Sequence, residues 1–150
     1  MPFEPEPRPV RVVAAAIVDD LAHPTRLLAA RRTEPPTLAG GWEFPGGKVD
    51  PGETRVDALH REIHEELGVT VVLGDPIPAE SDDGSWPLGD RYRMDIWFAV
   101  VTEGAPRPLE DHDELRWLQA GDLYAVGWLA ADLPIVRLLE RRMVGDRPKP

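Results

Sequence analysis

Apolar residues recur along this chain with the two-residue period of strands in some stretches and with the helical period in others. Val10–Val18 is a nearly continuous apolar run rich in β-branched residues, which predicts a buried strand. In Arg91–Val101 every second residue from Tyr92 to Val100 is apolar, which predicts another core strand. Further strands are predicted at Arg26–Arg32 and Val69–Leu73, and another around Leu115 and Trp117.

The helical period predicts two helices. The first begins at Thr54, whose hydroxyl can cap a backbone N–H, and ends at Gly68, where a left-handed residue is favoured. Its predicted buried face consists of Val56, Leu59, Ile63 and Leu67. The second helix follows Asp132, a suitable N-cap, and has Pro134 in its first turn. Its predicted buried face consists of Ile135, Val136, Leu138, Leu139 and Met143.

Turn-forming residues separate these elements. Glu34-Pro35-Pro36 ends the second strand, whose short length favours a strand over the helix that Arg26–Arg32 could also form. Residues 76–90 predict a loop or a hairpin connection, and Ala120–Leu123 predicts a helical turn. The order of strands, helix, strands and helix is compatible with an α/β fold but does not select one.

Length and composition narrow the class of protein. The chain has 150 residues, which predicts one domain over residues 10–143 with proline-containing, poorly ordered tails at 1–9 and 144–150. It has no cysteine, which excludes disulfides and thiolate zinc sites. The net charge of -10 disfavours binding to nucleic acid or to an anionic membrane. Without a signal-peptide pattern or a long apolar run, we expect a cytoplasmic protein.

Three carboxylates crowd one surface of the first predicted helix. Glu62, Glu65 and Glu66 are three and four residues apart, and like charges at these spacings destabilise a helix. A solvated acidic face is the simpler interpretation. The alternative is a site for a hard cation such as Mg²⁺, which prefers oxygen ligands and would relieve the repulsion.

The stretch Gly47–Val69 decides between these interpretations. It reads GKVDPGETRVDALHREIHEELGV and follows the pattern G-x5-E-x7-R-E-U-x-E-E-x-G-U, where U is bulky and apolar. At every specified position it resembles the signature of the Nudix hydrolases. The resemblance extends over about residues 10–143 and implies the Nudix fold, a mixed β-sheet between helices in an α/β/α sandwich.

The resemblance also implies roles for residues of this stretch. Glu65 and Glu66 would be the main metal ligands, Glu62 a ligand or base, and the carbonyl of Gly46 a further ligand. The cofactor would be Mg²⁺, with Mn²⁺ able to substitute. Arg61 would pair with Glu53 and hold the loop and helix together, although an ordinary ion pair would also explain that pair.

Residues before the signature match positions that contact nucleotide in MutT-type members. Arg31 and Arg32 end the second strand, ten residues before the Trp42–Gly47 loop, and Arg32 is the closer match. Surface charge is the alternative for this pair. Phe44 belongs to the same glycine-ended loop, and we expect it to contact substrate as well.

A later acidic loop provides a further candidate ligand. MutT-like enzymes commonly carry an acid followed by histidine several residues before a tryptophan, and Asp111-His112 before Trp117 fits that pattern. Glu110 is a close rival, and Glu114 is also possible. His112 could bind metal or carry protons, but a solvated ring is the default for a loop histidine.

Asp132 matches the position where MutT relatives place an Asn or Asp that hydrogen-bonds the base. An acid there could accept from an amino group of cytosine, adenine or guanine, and if protonated could also donate. The type member of the family carries Asn, so its preference for an oxidised purine does not transfer to this chain directly.

The resemblance therefore implies a Mg²⁺-dependent enzyme that converts nucleoside triphosphates to monophosphate and pyrophosphate. Its expected role is sanitation of the nucleotide pool, with 8-oxo-dGTP, CTP, dCTP or methylated dCTP as substrates. The alternatives are a Nudix pyrophosphatase for ADP-ribose or dinucleotides, and a non-catalytic nucleotide sensor. The only expected partner is a small nucleotide, bound by a monomer or a homodimer.

Overall fold

The computed structural model describes residues 8–144 and contains eight strands and two α-helices. The strands are β1 (Val10–Ile17), β2 (Arg26–Arg32), β3 (Trp42–Glu43), β4 (Gly46–Lys48), β5 (Thr70–Pro76), β6 (Trp86–Leu88), β7 (Tyr92–Glu103) and β8 (His112–Gln119). The helices are α1 (Arg55–Leu67) and α2 (Leu133–Val144), with short 3-10 turns at Ala120–Asp122 and Ala130–Asp132. The predicted tails lie outside the described residues except at positions 8, 9 and 144.

The strands form two sheets rather than the single mixed sheet that was expected. In the first sheet, β1 pairs antiparallel with β4 and parallel with β7, which also pairs antiparallel with β5 and β6. In the second, β2 pairs antiparallel with both β3 and β8. A bridge between Val18 and Leu27 connects the sheets.

The sheets lie between the helices, as the α/β/α sandwich requires. Along β1, Val13, Ala15 and Ile17 pack with α1, whereas Ala14 and Ala16 pack with α2. Because both faces of β1 are covered, its sequence is apolar at nearly every position. The predicted fold class is confirmed, and the two cores place α1 directly against β1 and β4.

The ends of α1 follow from its sequence. The Thr54 hydroxyl accepts a hydrogen bond from the Asp57 backbone N–H at 3.1 Å, and Gly68 ends the helix at φ 71°. Leu59, Ile63 and Leu67 are buried as predicted, but Val56 is 42% exposed. The prediction for Val56 was wrong because the first helical turn extends past the covered surface. Ala58 and the carboxylate-bearing Glu66 are buried instead.

Two other local predictions change. Asp132 was expected to cap α2, but it already lies within the 3-10 turn that leads into this helix, and the turn is preceded by Leu129. Among the described residues the Asp132 side chain makes no hydrogen bond to the first turn of α2, so it does not cap the helix, and it is buried. Residues 76–90 contain the short strand β6, which forms an antiparallel hairpin with β7. The predicted hairpin is therefore present in the second half of that connection.

The outer face of α2 is exposed at Arg137, Arg141 and Arg142, as its sequence predicts. None of the helices within residues 8–144 has the length and apolar character of a membrane span.

Candidate active site

The Arg61 guanidinium on α1 pairs with three acidic residues of the signature, Glu53, Glu62 and Glu65. Its Nε and Nη2 donate to the two carboxylate oxygens of Glu53, each at 2.8 Å, and Nη2 also donates to the Lys48 carbonyl at 3.1 Å. Its Nη1 donates to Glu62 at 2.9 Å and to Glu65 at 3.3 Å. The guanidinium lowers the pKa of Glu53 to about 2. Arg61 thus holds the loop, β4 and α1 in one arrangement.

Glu66 is a carboxylate inside the protein. It is 5% exposed, and its Oε2 accepts a hydrogen bond from the Gly46 N–H at 3.1 Å. Burial, together with the nearby charges of Glu43, Glu62 and Asp111, raises its pKa to about 9 against the lowering effect of the Gly46 hydrogen bond. Four acids therefore share a small region next to the Gly46 backbone.

The two glycines of β4 are required by close contacts. A Cβ at Gly46 would lie 2.0 Å from the Val13 carbonyl oxygen, and a Cβ at Gly47 would lie 2.4 Å from the Glu62 carboxyl carbon. The chain therefore approaches both β1 and the Glu62 carboxylate more closely than any side chain would permit.

Within residues 8–144, no three Asp, Glu or His side chains are already gathered around a common metal position. The carboxylates of Glu62 and Glu65 both form ion pairs with Arg61. The donor chemistry nevertheless fits a hard divalent cation, because the Glu66 carboxyl group is buried among further acids and, among the described residues, accepts one hydrogen bond, from Gly46. Binding would require the carboxylates to turn from Arg61 toward Glu66.

A second group of predicted residues lies beside Glu43. Arg32 donates from Nη1 to both Glu43 carboxylate oxygens at 3.1 Å and from Nε to the Glu34 carbonyl at 2.8 Å. Asp132 is 5% exposed, and burial raises its pKa to about 8, with Glu43 adding to the rise and Arg32 opposing it. Phe44 is buried, with its ring centroid 4.9 Å from that of Trp128.

Arg31 points away from this group because neighbouring strand residues face opposite sides. Its Nε donates to Asp113 at 2.8 Å, its Nη2 lies 3.7 Å from Glu114, and its guanidinium lies over the Trp42 ring. The structure therefore brings Arg32 and Asp132 close to Glu43, packs Phe44 against Trp128, and leaves Arg31 paired with Asp113 and Glu114 away from Glu43.

Asp111 and His112 enter the site at the start of β8. Asp111 is exposed with φ 59°, and its charge contributes to the raised pKa of Glu66. His112 is buried, so the expectation of a solvated ring was wrong. Its Nε2 lies 2.9 Å from Glu43 Oε2, and its Nδ1 lies 3.9 Å from Glu66 Oε2.

Sequence reasoning did not single out Glu43 as a functional residue. Its position between Trp42 and Phe44 in the glycine-ended loop was the available signal. Only the fold shows that this carboxylate lies between Arg32 and His112.

Comparison with known proteins supports the resemblance found in the sequence. A family model described as NUDIX domain matches residues 8–139. A Mycobacterium tuberculosis protein named "Putative 8-oxo-dGTP diphosphatase 2" is 39% identical over 138 residues, covering 90% of this chain and 91% of its own length. The CTP pyrophosphohydrolase of Escherichia coli is 32% identical and covers 85% of this chain and 88% of its own length.

Solved structures agree at the level of the fold. The MutT NUDIX hydrolase from Burkholderia pseudomallei is 30% identical with a TM-score of 0.66, covering 90% of this chain and 98% of its own. The E. coli ORF135 protein is 27% identical with a TM-score of 0.68, covering 94% of this chain and 96% of its own.

Proposed function

The chain belongs to the Nudix hydrolase family, and from that membership we propose that it hydrolyses nucleoside or deoxynucleoside triphosphates to monophosphate and pyrophosphate. The observation that carries this proposal is the position of the buried Glu66 carboxyl group. Glu62 of α1 lies near it, and His112 lies between it and the Glu43–Arg32 pair. A cation-binding region and a nucleotide-binding region would thus be adjacent.

Divalent metal ions are the general requirement of Nudix hydrolases, and we propose Mg²⁺ for this chain, with Mn²⁺ able to substitute. Glu62, Glu65, Glu66, Asp111 and the Gly46 carbonyl are the proposed ligands. When bound, the metal would neutralise phosphate charge and lower the pKa of the attacking water. Glu62 and the Glu110–Asp111 pair are the candidates to accept the proton of that water.

The proposed nucleotide contacts follow from the second group of residues. Arg32 supplies a cation beside the acidic centre, and Phe44 and Trp128 supply apolar ring surface. The elevated pKa of Asp132 favours a carboxyl group that can both donate to and accept from a base edge. We keep Arg31 as a weaker candidate, because it would have to leave Asp113 to reach substrate.

Two relatives act on different bases according to their names, 8-oxo-dGTP in one case and CTP in the other. We propose nucleotide-pool sanitation by one of these activities, in the cytoplasm and by the single domain at residues 10–143. ADP-ribose or dinucleotide cleavage remains the alternative enzyme activity. We propose no nucleic-acid partner, and the active species would be a monomer or a homodimer.

A turnover panel with Mg²⁺ tests the proposal. The substrates are CTP, dCTP, 5-methyl-dCTP, 8-oxo-dGTP, dGTP, ADP-ribose and a diadenosine polyphosphate, with products separated by chromatography. Rapid release of monophosphate and pyrophosphate from one triphosphate is expected. Cleavage of ADP-ribose alone would overturn the substrate assignment, and binding without any cleavage would favour the sensor alternative.

The proposed metal ligands are tested with Glu65→Gln. Glu65 is exposed and on the surface of α1, so the variant should fold normally and lose most turnover. Glu103→Gln, at the exposed end of β7, is the matched control and should keep full turnover. Turnover by Glu65→Gln equal to that of the unmodified protein would remove Glu65 from the ligand set.

A further inference from the structure

One carboxylate joins the two halves of the candidate site. Glu43 Oε2 lies 3.1 Å from Arg32 Nη1 and 2.9 Å from His112 Nε2. The His112 side chain is only 1% exposed, and the Glu43 side chain is 15% exposed. The His112–Glu43 part of this contact chain is therefore shielded from water, where charge-assisted hydrogen bonds are stronger than at the surface, and the Arg32 side chain is 26% exposed.

The second sheet builds this contact chain through its register. On β2, Arg32 lies opposite His112 of β8, and Ala30 lies opposite Glu43 of β3. Because residues two apart on a strand share a face, Arg32, Glu43 and His112 project to the same side. The sheet places all three side chains without help from a flexible loop.

A local irregularity turns His112 inward. The pairing of β2 with β8 shifts between Arg31 and Arg32, and Asp111 has the left-handed φ of 59°. The Asp111 carbonyl accepts a hydrogen bond from the Thr33 N–H at 2.9 Å, which fixes this conformation. A non-glycine residue with positive φ is uncommon and is often retained at functional sites.

The orientation of the His112 ring follows from its neighbours. An ionised carboxylate can only accept, so Nε2 must carry the hydrogen that is shared with Glu43. The opposite ring nitrogen, Nδ1, is buried without a hydrogen-bond partner among the described residues and faces Glu66 at 3.9 Å. His112 thus stands between the carboxylate that holds Arg32 and the carboxylate beside Gly46.

We propose that His112 is a positioning residue for nucleotide binding, which acts by holding Glu43 in the geometry that aims Arg32 at the substrate. This inference rests on the proposed function. With the hydrogen bond from Nε2 in place, the Glu43 carboxylate presents both oxygens to the Arg32 guanidinium. Without it, Glu43 can rotate toward water, and the Arg32 guanidinium is held by its bond to the Glu34 carbonyl without a fixed partner at Nη1.

Three variants of His112 separate this role from a general structural one. His112→Phe keeps a ring and removes both nitrogens, whereas His112→Gln keeps an amide donor close to the place of Nε2. His112→Asn keeps a polar group only near the place of Nδ1. His23→Phe, at an exposed histidine between β1 and β2, is the matched control.

The main readout is the dissociation constant for α,β-methylene-dCTP and α,β-methylene-dGTP with Mg²⁺, measured by calorimetry. We expect about tenfold weaker binding for His112→Phe and His112→Asn, since a charge-assisted hydrogen bond is lost. His112→Gln should recover most of the affinity, and His23→Phe should equal the unmodified protein. In turnover of the preferred substrate, the loss should fall mainly on KM rather than kcat.

A double-mutant cycle tests the route of the effect. If His112 acts through Glu43 and Arg32, His112→Phe should weaken binding less than twofold in an Arg32→Ala background. Equal effects in both backgrounds would overturn the proposal. Unchanged affinity of His112→Phe, with the unmodified protein binding normally, would overturn it as well.

Binding of Mn²⁺ without nucleotide, followed by the paramagnetic resonance of free Mn²⁺, provides the independent control. His112→Phe should change Mn²⁺ affinity by less than about twofold and keep the melting temperature, because His112 donates to Glu43 rather than to the acids of α1. A parallel loss of Mn²⁺ binding would show a general structural role and overturn the inference. If the unmodified protein binds neither analogue, the proposed function itself fails, and this inference fails with it.

Discussion

Two buried carboxyl groups, those of Glu66 and Asp132, reduce the free energy of unfolding of this protein. Each is 5% exposed, and burial is the main cause of the raised pKa in both. Burying such a group costs free energy, whether the carboxylate stays ionised or takes up a proton on folding. The proposed binding partners, a cation for Glu66 and a base for Asp132, would account for their presence.

Asp132→Asn should change the pH dependence of stability. The pKa of Asp132 is about 8 in the folded state and near 3.8 when unfolded, so the folded state holds the extra proton between these values. Its contribution to stability therefore falls as pH rises from about 4 to about 8. Asn cannot titrate, so the variant should gain stability relative to the unmodified protein over this window, on the order of a few kcal/mol.

Urea unfolding at several pH values from 5 to 8 measures this difference. Asp122→Asn, at an exposed position in a 3-10 turn, is the control and should follow the unmodified protein. Parallel curves for Asp132→Asn and the unmodified protein would mean that Asp132 is ionised throughout and cannot donate a hydrogen bond to a base.

The residues of the candidate site differ in how well the sequence alone predicts their place in it. Glu53, Arg61, Glu62, Glu65 and Glu66 have fixed offsets along one helix and its loop, so local spacing defined them. Glu43 and His112 are 69 positions apart and meet only because β2 lies between their strands. A register that depends on a bulge and one left-handed residue has no local sequence pattern.

At the scale of elements, two glycines allow β4 to lie close to its neighbours: Gly46 faces β1, and Gly47 faces Glu62 of α1. We expect Gly47→Ala to keep the fold, because the three atoms nearest to its Cβ all belong to the movable Glu62 carboxylate. The displaced carboxylate should lower turnover by roughly 100-fold. Gly46→Ala would instead collide with the Val13 backbone and should destabilise the protein by roughly 2–4 kcal/mol.

Turnover and urea unfolding of both variants separate the two effects. Each glycine variant serves as the control for the other, since they are neighbours on one strand. Normal turnover in Gly47→Ala would contradict a role for the observed Glu62 position. A stable Gly46→Ala would mean that β4 can move away from β1 at little cost.

The ion pair between Glu53 and Arg61 of α1 should make the stability of the protein depend on pH in the acidic range. Arg61 lowers the pKa of Glu53 to about 2 from an unfolded value near 4.5. This contribution is therefore complete above about pH 4.5 and is lost as the pH falls toward 2. Glu53→Gln should melt at a lower temperature than the unmodified protein at pH 6, with the difference closing below pH 3.

Melting curves from pH 2.5 to 7 measure this closing difference, with Glu103→Gln as an exposed control. Turnover of Glu53→Gln should also fall by roughly tenfold, because Glu53 fixes the arginine that holds Glu62. A difference in melting temperature that is constant with pH would mean that packing, not charge, is the role of Glu53.

The elements themselves were predictable where a pattern is long. The caps and length of α1, the bounds of β2 and most of β1 and β7 follow from period and turn residues. The failures are at ends and short pieces, such as exposed Val56, the strand Trp86–Leu88 and the missing cap at Asp132. Burial at an element's end depends on what lies across from it, which local sequence does not contain.

At the scale of the whole molecule, a net charge of -10 opposes the binding of an anionic nucleotide. Arg32 is one cation beside several acids, so it cannot reverse this repulsion. A divalent cation bound by these acids makes the local charge positive, so that the phosphates of a nucleotide are attracted. Metal binding should therefore come first, and it should stabilise the entire fold.

Mg²⁺ should raise the melting temperature of the unmodified protein, and EDTA should return it to the starting value. At a Mg²⁺ concentration 100 times the dissociation constant, linkage predicts about 2.7 kcal/mol of stabilisation. For a chain of this length that corresponds to roughly 5–10 °C. Scanning calorimetry at pH 7.5 with increasing MgCl₂, and with KCl at matched ionic strength, measures the shift.

Glu66→Gln links this stabilisation to one residue. Burial beside Glu43, Glu62 and Asp111 raises the pKa of Glu66 to about 9, so without metal this side chain must take up a proton on folding at pH 7.5. Gln removes that cost, and the metal-free variant should melt above the unmodified protein. The same change removes the proposed ligand, so Mg²⁺ should no longer raise its melting temperature. A full Mg²⁺ shift in Glu66→Gln would show that the cation binds elsewhere. A lower melting temperature without metal would mean that the Glu66 carboxylate stabilises the fold through its bond from Gly46.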